Sequence, residues 1–487
     1  MRALAVWVAT ACASCGSAAP ATSTAPAAPV HIDKPAVESW LRVELGTHTR
    51  AAVAGVVVGD SLVWHVGIGS RDGRTEVPPD RTSVFRIGSI TKVLTAIAVV
   101  QLRDRGVLDL DAPVTTWVPE LTPWLTPAAA SPGGQPLGPA VTLRHLVTHT
   151  SGIPSMGDGT APYWEQTPPS EAQLLKALHG PLRFVPGTDT EYSNAGMALA
   201  GVVVSRASKQ TYRAYMAQHV LKPLGIQPRW DRSDVADAVR VAGESVVRDL
   251  DPPTWQLGAF ESAGGLWASL DDMVGLARFA HGGAVADRVL APASRSQMFT
   301  DDPLPGPHGI AWSVDGGLIA HTGSTGDYSA SFVSFPQRRL AVIVLASGRP
   351  YGLVDCVAMS LARALADDAP PASCAALVPK PTASIERKAL IVSFDRLIEF
   401  FAHPSEGAAR ATFAPAFLGA IPPMMLLDVT KQVEGQVGKC TSYELPADVA
   451  TAGRVRLRCA KADLMLEYRV ETAPPHRFEG AQLLPVP

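Results

Sequence analysis

The sequence predicts an α+β fold: an antiparallel sheet flanked by helices, with an inserted helical subdomain, followed by a small C-terminal α+β domain. Three observations predict it. Strand-like apolar runs lie near both ends of the first 366 residues, helical pieces fill the middle, and a Pro- and Ala-rich stretch precedes a further helix and hairpin. A chain of 487 residues, 47% of them hydrophobic, also exceeds what one core ordinarily serves. The formal net charge of -3 argues against nucleic-acid binding, because phosphate contacts need a concentrated basic face.

At the N-terminus, Arg2 and the apolar run Ala3–Ala11, followed by small residues, read as an export signal over residues 1–15. Cys12 and Cys15 follow small residues, in a pattern similar to a bacterial lipoprotein cleavage site, which makes either a candidate lipid anchor. Neither has the Leu usually found three positions upstream. Residues 16–32 are mostly Ala, Pro, Ser and Thr; they have little apolar surface to bury and are expected to tether. The expected location is the periplasm or cell surface. Beyond the first residues no apolar stretch is long enough to span a bilayer.

The first domain is assigned to residues 33–366. Ala52–Val58 and Leu62–Val66, joined by Gly59-Asp60, read as a hairpin. From Ser89 to Arg105 the period changes, with Val93, Ile97, Val100 and Leu102 apolar at helical spacing. Residues 107–300 are Pro- and Gly-rich and broken into short helical pieces. Three strands follow at Leu318–Thr322, Ser329–Phe335 and Leu340–Ala346. Residues 367–383 are expected to be a linker, and 384–487 the second domain. There Leu390, Phe394, Leu397 and Phe401 share a helical face that should stop before Pro404. Val455, Leu457 and Cys459, then Leu464, Leu466, Tyr468 and Val470, alternate as a hairpin. The block loosely resembles helix-plus-curved-sheet modules of the NTF2-like and cystatin-like kind.

Cys356, Cys374, Cys440 and Cys459 suggest disulfides in an oxidising compartment; of the three connectivities that four cysteines allow, two sequence-local pairs are favoured.

Ser89-Ile90-Thr91-Lys92 is the only Ser-x-x-Lys in the chain. On a helix this spacing stacks a hydroxyl and an amine on one face, about 5–6 Å apart at Cβ. A helix N-terminus favours developing negative charge, and a buried, uncharged Lys92 could take the hydroxyl proton. Tyr192-Ser193-Asn194, the only Tyr-x-Asn, precedes an apolar helix and offers a phenol for proton transfer and an amide for a substrate. His321-Thr322-Gly323-Ser324 ends a predicted strand, where Gly323 permits close backbone approach and the next N–H can serve an oxyanion. His65-Val66-Gly67 and His281-Gly282-Gly283 share the His-x-Gly spacing, so strand context and chain order select His321. His145 and His149 are four apart, but no third ligand motif accompanies them and a metal is not expected. No Gly-x-Ser-x-Gly of the α/β-hydrolase kind occurs.

In this order the three motifs resemble the signature of the serine β-lactamase and penicillin-binding-protein superfamily. The Tyr-x-Asn form is similar to the branch of class C β-lactamases, D-alanyl-D-alanine carboxypeptidases and related esterases. Phe85–Gly88, Gly106–Asp111, Leu143–Gly152 and Gly264–Trp267 also look familial, and the resemblance covers roughly residues 35 to 360. It implies a β-lactamase/transpeptidase-like fold and an acyl-enzyme on Ser89, without a cofactor. Lys92 and Tyr192 would share the acid and base work, Asn194 would orient an amide, and the N–H groups of Ser89 and Ser324 would form the oxyanion hole. His321 and Thr322 would line the substrate site, His321 standing where class C β-lactamases carry Lys. That difference favours D-amino-acid peptides or esters over β-lactams. The alternatives are a class C-like β-lactamase and a non-turnover protein that binds penicillin or wall peptides.

Overall fold

The computed structural model describes residues 30–46, 48–125, 140–155, 168–244, 256–300, 309–325, 327–348, 352–374, 383–421 and 423–485. The export signal, most of the tether and residues 375–382 of the expected linker lie outside them. Helix α1 (Lys34–Leu45) leads into strands β1 (Ala51–Val58) and β2 (Ser61–Gly69). Short β3 (Val84–Arg86) precedes helix α2 (Thr91–Asp104), and helix α3 (Asn194–Ser208) follows in the middle region. β4 (Trp267–Ser269) and helix α4 (Leu270–His281) lead to β5 (Ser313–Asp315), β6 (Leu318–Ser324), β7 (Tyr328–Phe335), β8 (Leu340–Ser347) and helix α5 (Leu353–Asp367).

The main sheet has the order β2-β1-β8-β7-β6-β5 and is antiparallel throughout. Chain-distant β1 and β8 lie side by side, Val53 opposite Leu345 and Ala54 opposite Val344, so the sheet closes through strands from both ends of the domain. Both faces are covered, which is why these strands read as apolar runs rather than as clean alternation. Val53, Val57, Ile343 and Leu345 face the helical region. Ala52, Ala54, Val342 and Val344 face α1 and α5. β5, three residues long and mostly exposed, leaves little pattern to read.

Every residue of α2 from Thr91 to Leu102 is buried. Its β-branched Val93, Ile97, Val99 and Val100 each cost a few tenths of a kcal/mol, roughly, in helix propensity. Burying each contributes about 1.5–3 kcal/mol, so tertiary packing holds this helix. It packs against α3, which carries Asn194.

The second block holds helices α6 (Arg387–Ala402) and α7 (Pro423–Val437) and the sheet β9-β10-β11-β12, with β9 Cys440–Glu444, β10 Ala452–Cys459, β11 Leu464–Val470 and β12 Phe478–Pro485. Phe394 and Leu397 of α6 share a core with Leu457, Leu466, Tyr468 and Phe478. β9 and β12 extend the predicted hairpin on either side. Both sequence-local cysteine pairs are joined, Cys356 to Cys374 and Cys440 to Cys459. Cys374, placed by sequence in the linker, is buried, and its N–H donates to Glu44 Oε2 at 3.1 Å. The chain beyond α5 is therefore stitched to α1 up to that residue.

Candidate active site

Ser89 does not open the α-helix, as its sequence suggests; it sits in a 3₁₀ turn, Gly88–Ile90, and α2 begins at Thr91. The turn is fixed on both sides. Ile87 N–H donates to Leu266 O at 3.1 Å, and Thr91 Oγ1 donates to Gly88 O at 2.7 Å. Lys92, 0% exposed, brings Nζ to 3.0 Å from Ser89 Oγ, 2.8 Å from Asn194 Oδ1 and 2.6 Å from Ala263 O.

Burial holds the Lys92 amine well below the ordinary lysine range. Its three contacts suit the neutral form. A neutral amine has two N–H groups, for the Asn194 and Ala263 oxygens, and one lone pair, for the Ser89 hydroxyl to donate to. The neutral form thus keeps all three hydrogen bonds, one with its direction reversed. It also avoids the several kcal/mol, roughly, of burying a charge without a counter-ion. An amine and a hydroxyl are in hydrogen-bond contact, the arrangement that a base and a nucleophile require.

Tyr192 lies across the same amine, its ring centroid 4.7 Å from Lys92 Nζ, and is 37% exposed. The phenol thus has a wet side and a side facing the buried pair. His149, inside the familial-looking stretch Leu143–Gly152, braces this segment. Its backbone is left-handed (φ 60°). Its carbonyl accepts from Glu191 N–H at 3.0 Å, its Nδ1 from Ser193 N–H at 3.1 Å, and its ring lies 4.5 Å from that of Tyr192. His145 is occupied differently, its Nδ1 accepting the Thr142 N–H at 3.2 Å in a helix cap. Asn194 is the first residue of α3, and its Nδ2 donates to Ser155 Oγ at 3.4 Å while Oδ1 receives Lys92.

Two glycines bring the end of β6 against the nucleophile's turn. A Cβ on Gly323 would stand 1.9 Å from Ile87 O and 3.1 Å from Ser89 N; one on Gly88, whose φ is +51°, would stand 2.7 Å from Ser324 N. Only glycine fits at either place. The backbone of the Ser89 turn and the end of β6 at Gly323 and Ser324 are therefore in close contact. Gly323→Ala should push β6 away; with the oxyanion role expected of the Ser324 N–H, kcat for any acyl donor should fall by about 10²–10³-fold, the cost of losing one such donor. Stopped-flow acylation rates would check it. Thr322 and His321 lie further along β6, and His321 Nδ1–H donates to Thr322 O at 2.7 Å.

The three sequence motifs thus meet at one place. The residues that sequence reasoning did not assign are His149, Gly88 and the Ala263 carbonyl. The first two sit inside stretches whose familial look is visible, but the groups they meet, at Tyr192–Ser193 and Ser324, are distant in the chain and no local pattern encodes the contact.

A family model described as Beta-lactamase matches residues 37–365. Esterase EstB of Burkholderia gladioli is 34% identical over 187 residues, covering 36% of this chain and 45% of that protein, and a Mycobacterium tuberculosis relative is 33% identical over 255 residues with 63% of its length covered. The chain thus spans only about half to two thirds of these relatives. Putative beta-lactamase-like 1 of Homo sapiens is 24% identical over 432 residues, 84% of each chain. Among solved structures, the octameric penicillin-binding protein homologue of Pyrococcus abyssi superposes with a TM-score of 0.57 at 20% identity, covering 94% of this chain and 97% of that one. The D-alanine carboxypeptidase AmpC of Burkholderia cenocepacia gives 0.54 at 20% identity over 67% and 97%.

Proposed function

The chain belongs to the Beta-lactamase family, and on that premise we propose that it is an exported serine hydrolase that works through an acyl-enzyme on Ser89, cleaving small esters and D-amino-acid peptides in preference to β-lactams. The observation that carries this reading is the fully buried Lys92 amine 3.0 Å from Ser89 Oγ, held by burial well below the ordinary lysine range.

Ser89 Oγ attacks the carbonyl carbon, and its proton passes to Lys92 Nζ as the C–O bond forms. The oxyanion of the tetrahedral intermediate takes hydrogen bonds from the Ser89 and Ser324 N–H groups. As the scissile bond breaks, the proton reaches the leaving oxygen or nitrogen through Lys92 and Tyr192, which act as a coupled pair. Water then attacks the acyl-enzyme, giving its proton to the same pair, and the acid leaves with Ser89 Oγ reprotonated. Asn194 orients the acyl-side amide.

The preference rests on His321. A histidine carries little positive charge near neutral pH, so it gives a β-lactam carboxylate less attraction than a lysine at that place would. The esterase relative supports the same direction. The export reading and a lipid anchor on Cys12 or Cys15 are part of the proposal and rest on the N-terminal sequence.

Two measurements test the reading. Mass spectrometry after quenching with p-nitrophenyl butyrate should find one acyl group, on Ser89. In a substrate panel, kcat/KM for p-nitrophenyl butyrate or a D-alanyl-D-alanine peptide should exceed that for nitrocefin at least tenfold, roughly, the scale of one uncompensated ionic contact. Nitrocefin turned over fastest would instead favour a class C-like β-lactamase. A Ser89 adduct that forms and never clears would favour the binding protein.

A further inference from the structure

The segment that carries Tyr192 is held at both ends. From Arg183 to Ser193 it runs against His149–Gly152, with Arg183 N–H on Gly152 O at 2.8 Å, Gly187 N–H on Thr150 O at 2.9 Å and Glu191 N–H on His149 O at 3.0 Å. The side chains of its end residues then meet. Arg183 Nε lies 3.7 Å from Glu191 Oε1, and Glu191 immediately precedes Tyr192.

The same guanidinium reaches outside the domain. Its Nη2 donates to Oδ1 of Asp428, which stands on α7 of the C-terminal block with its side chain only 3% exposed. One cation is thus shared by a carboxylate beside the phenol and a carboxylate from another part of the chain, 245 residues away. Burial pushes both carboxyls up from their ordinary range, and Arg183 opposes this at each of them, joined at Asp428 by Lys431. A surface ion pair contributes little, but a buried one fixes geometry because leaving either partner alone is costly.

We propose that Asp428 is a positioning residue for catalysis: through Arg183 and Glu191, the C-terminal block sets the place of Tyr192 over Lys92. The inference rests on the proposed proton-carrying role of Tyr192 and gives the appended block a part in turnover. Asp428 never touches substrate. It acts by holding Arg183 against Glu191 and so limiting how far the Tyr192 backbone can drift. Displacements of about 1 Å at a catalytic group cost up to 10²-fold in rate, so a modest loosening is readable.

The test uses the full-length chain and p-nitrophenyl butyrate. Asp428→Asn should lower kcat about tenfold while KM stays within about twofold, since proton transfer rather than binding is disturbed. Asp428→Glu should restore much of the loss, a rescue that mere damage to packing would not show. Arg183→Ala should be worse than Asp428→Asn, because it leaves two buried carboxylates facing each other. The double variant Arg183→Ala/Asp428→Asn should be no worse than Arg183→Ala alone, the non-additivity of residues acting through one another. Melting temperatures identify any variant that is simply unfolded, and that variant is then compared at a lower temperature. Wild-type kcat in folded Asp428→Asn, or strictly additive losses in the double variant, overturns the proposal. Tyr192→Phe separates this failure from that of the underlying reading. If Tyr192→Phe retains kcat, the proton role of Tyr192 is wrong; if it loses kcat while Asp428→Asn does not, only the positioning role is wrong.

Discussion

Ser89→Ala should abolish turnover of every acyl donor, with kcat for p-nitrophenyl butyrate falling on the order of 10⁶-fold, the scale seen when a nucleophile is deleted from a concerted catalytic group. The reason is geometric. The replacement removes one oxygen and leaves the Gly88 turn and its packing against Gly323 in place, because the turn is fixed by the Ile87 and Thr91 hydrogen bonds and not by the Ser89 side chain. Substrate should still bind, so KM or inhibitor affinity is expected to change far less than kcat. Steady-state kinetics together with intact-mass spectrometry after incubation with an acyl donor would check both. Hydrolysis that survives the substitution, with no adduct on the wild-type hydroxyl, would remove the basis of the assignment.

Lys92→Met comes next in size, with an expected loss of about 10³–10⁴-fold in kcat/KM, toward the upper range for removing a general base. Methionine is close to lysine in length and keeps the apolar stem packed, so the loss reports the amine. The pH behaviour carries the sharper information. With its range pulled down by burial, Lys92 is a base above that depressed value and a useless ammonium below it, so wild-type kcat/KM should fall as pH falls through it. Stability should move with the same proton. Between the depressed value and about 10.4 the unfolded chain holds a proton on Lys92 that the folded chain does not, so this group's contribution to stability rises with pH across that window and levels off above it. Thermal unfolding of wild type and Lys92→Met as a function of pH should therefore show the difference shifting in favour of wild type as pH rises. A shift in the opposite direction would mean that the folded state holds Lys92 as a cation, and the acyl-transfer scheme would need another base.

How much of this was readable before the fold is best seen in particular elements. β1 and β8 announce themselves because strands covered on both faces are continuous apolar runs. β9 does not, because Thr441, Ser442 and Glu444 are exposed and only its pairing with β10 makes it a strand. Ser89 and Lys92 stand three apart, and one turn of chain brings them together whatever surrounds them. A 3₁₀ turn and an α-helix share nearly the same local side-chain pattern, so the sequence points to a helix from Ser89 while the fold begins α2 at Thr91.

By itself, the order of residues pointed to the closing of the main sheet, the candidate nucleophile and base and the existence of a second block, and it favoured, without fixing, the cysteine pairing that the fold then shows. All of these depend on local spacing or on apolar runs, which the chain carries in one dimension. Tertiary structure alone decided that Lys92 is sealed from water beside the Ala263 carbonyl, that Gly88 and Gly323 let two distant backbone segments pack closely, and that Asp428 reaches Arg183. These are meetings of groups far apart in the chain. Their effect comes from excluded water and sub-ångström fit, and neither quantity exists until the chain has folded around them.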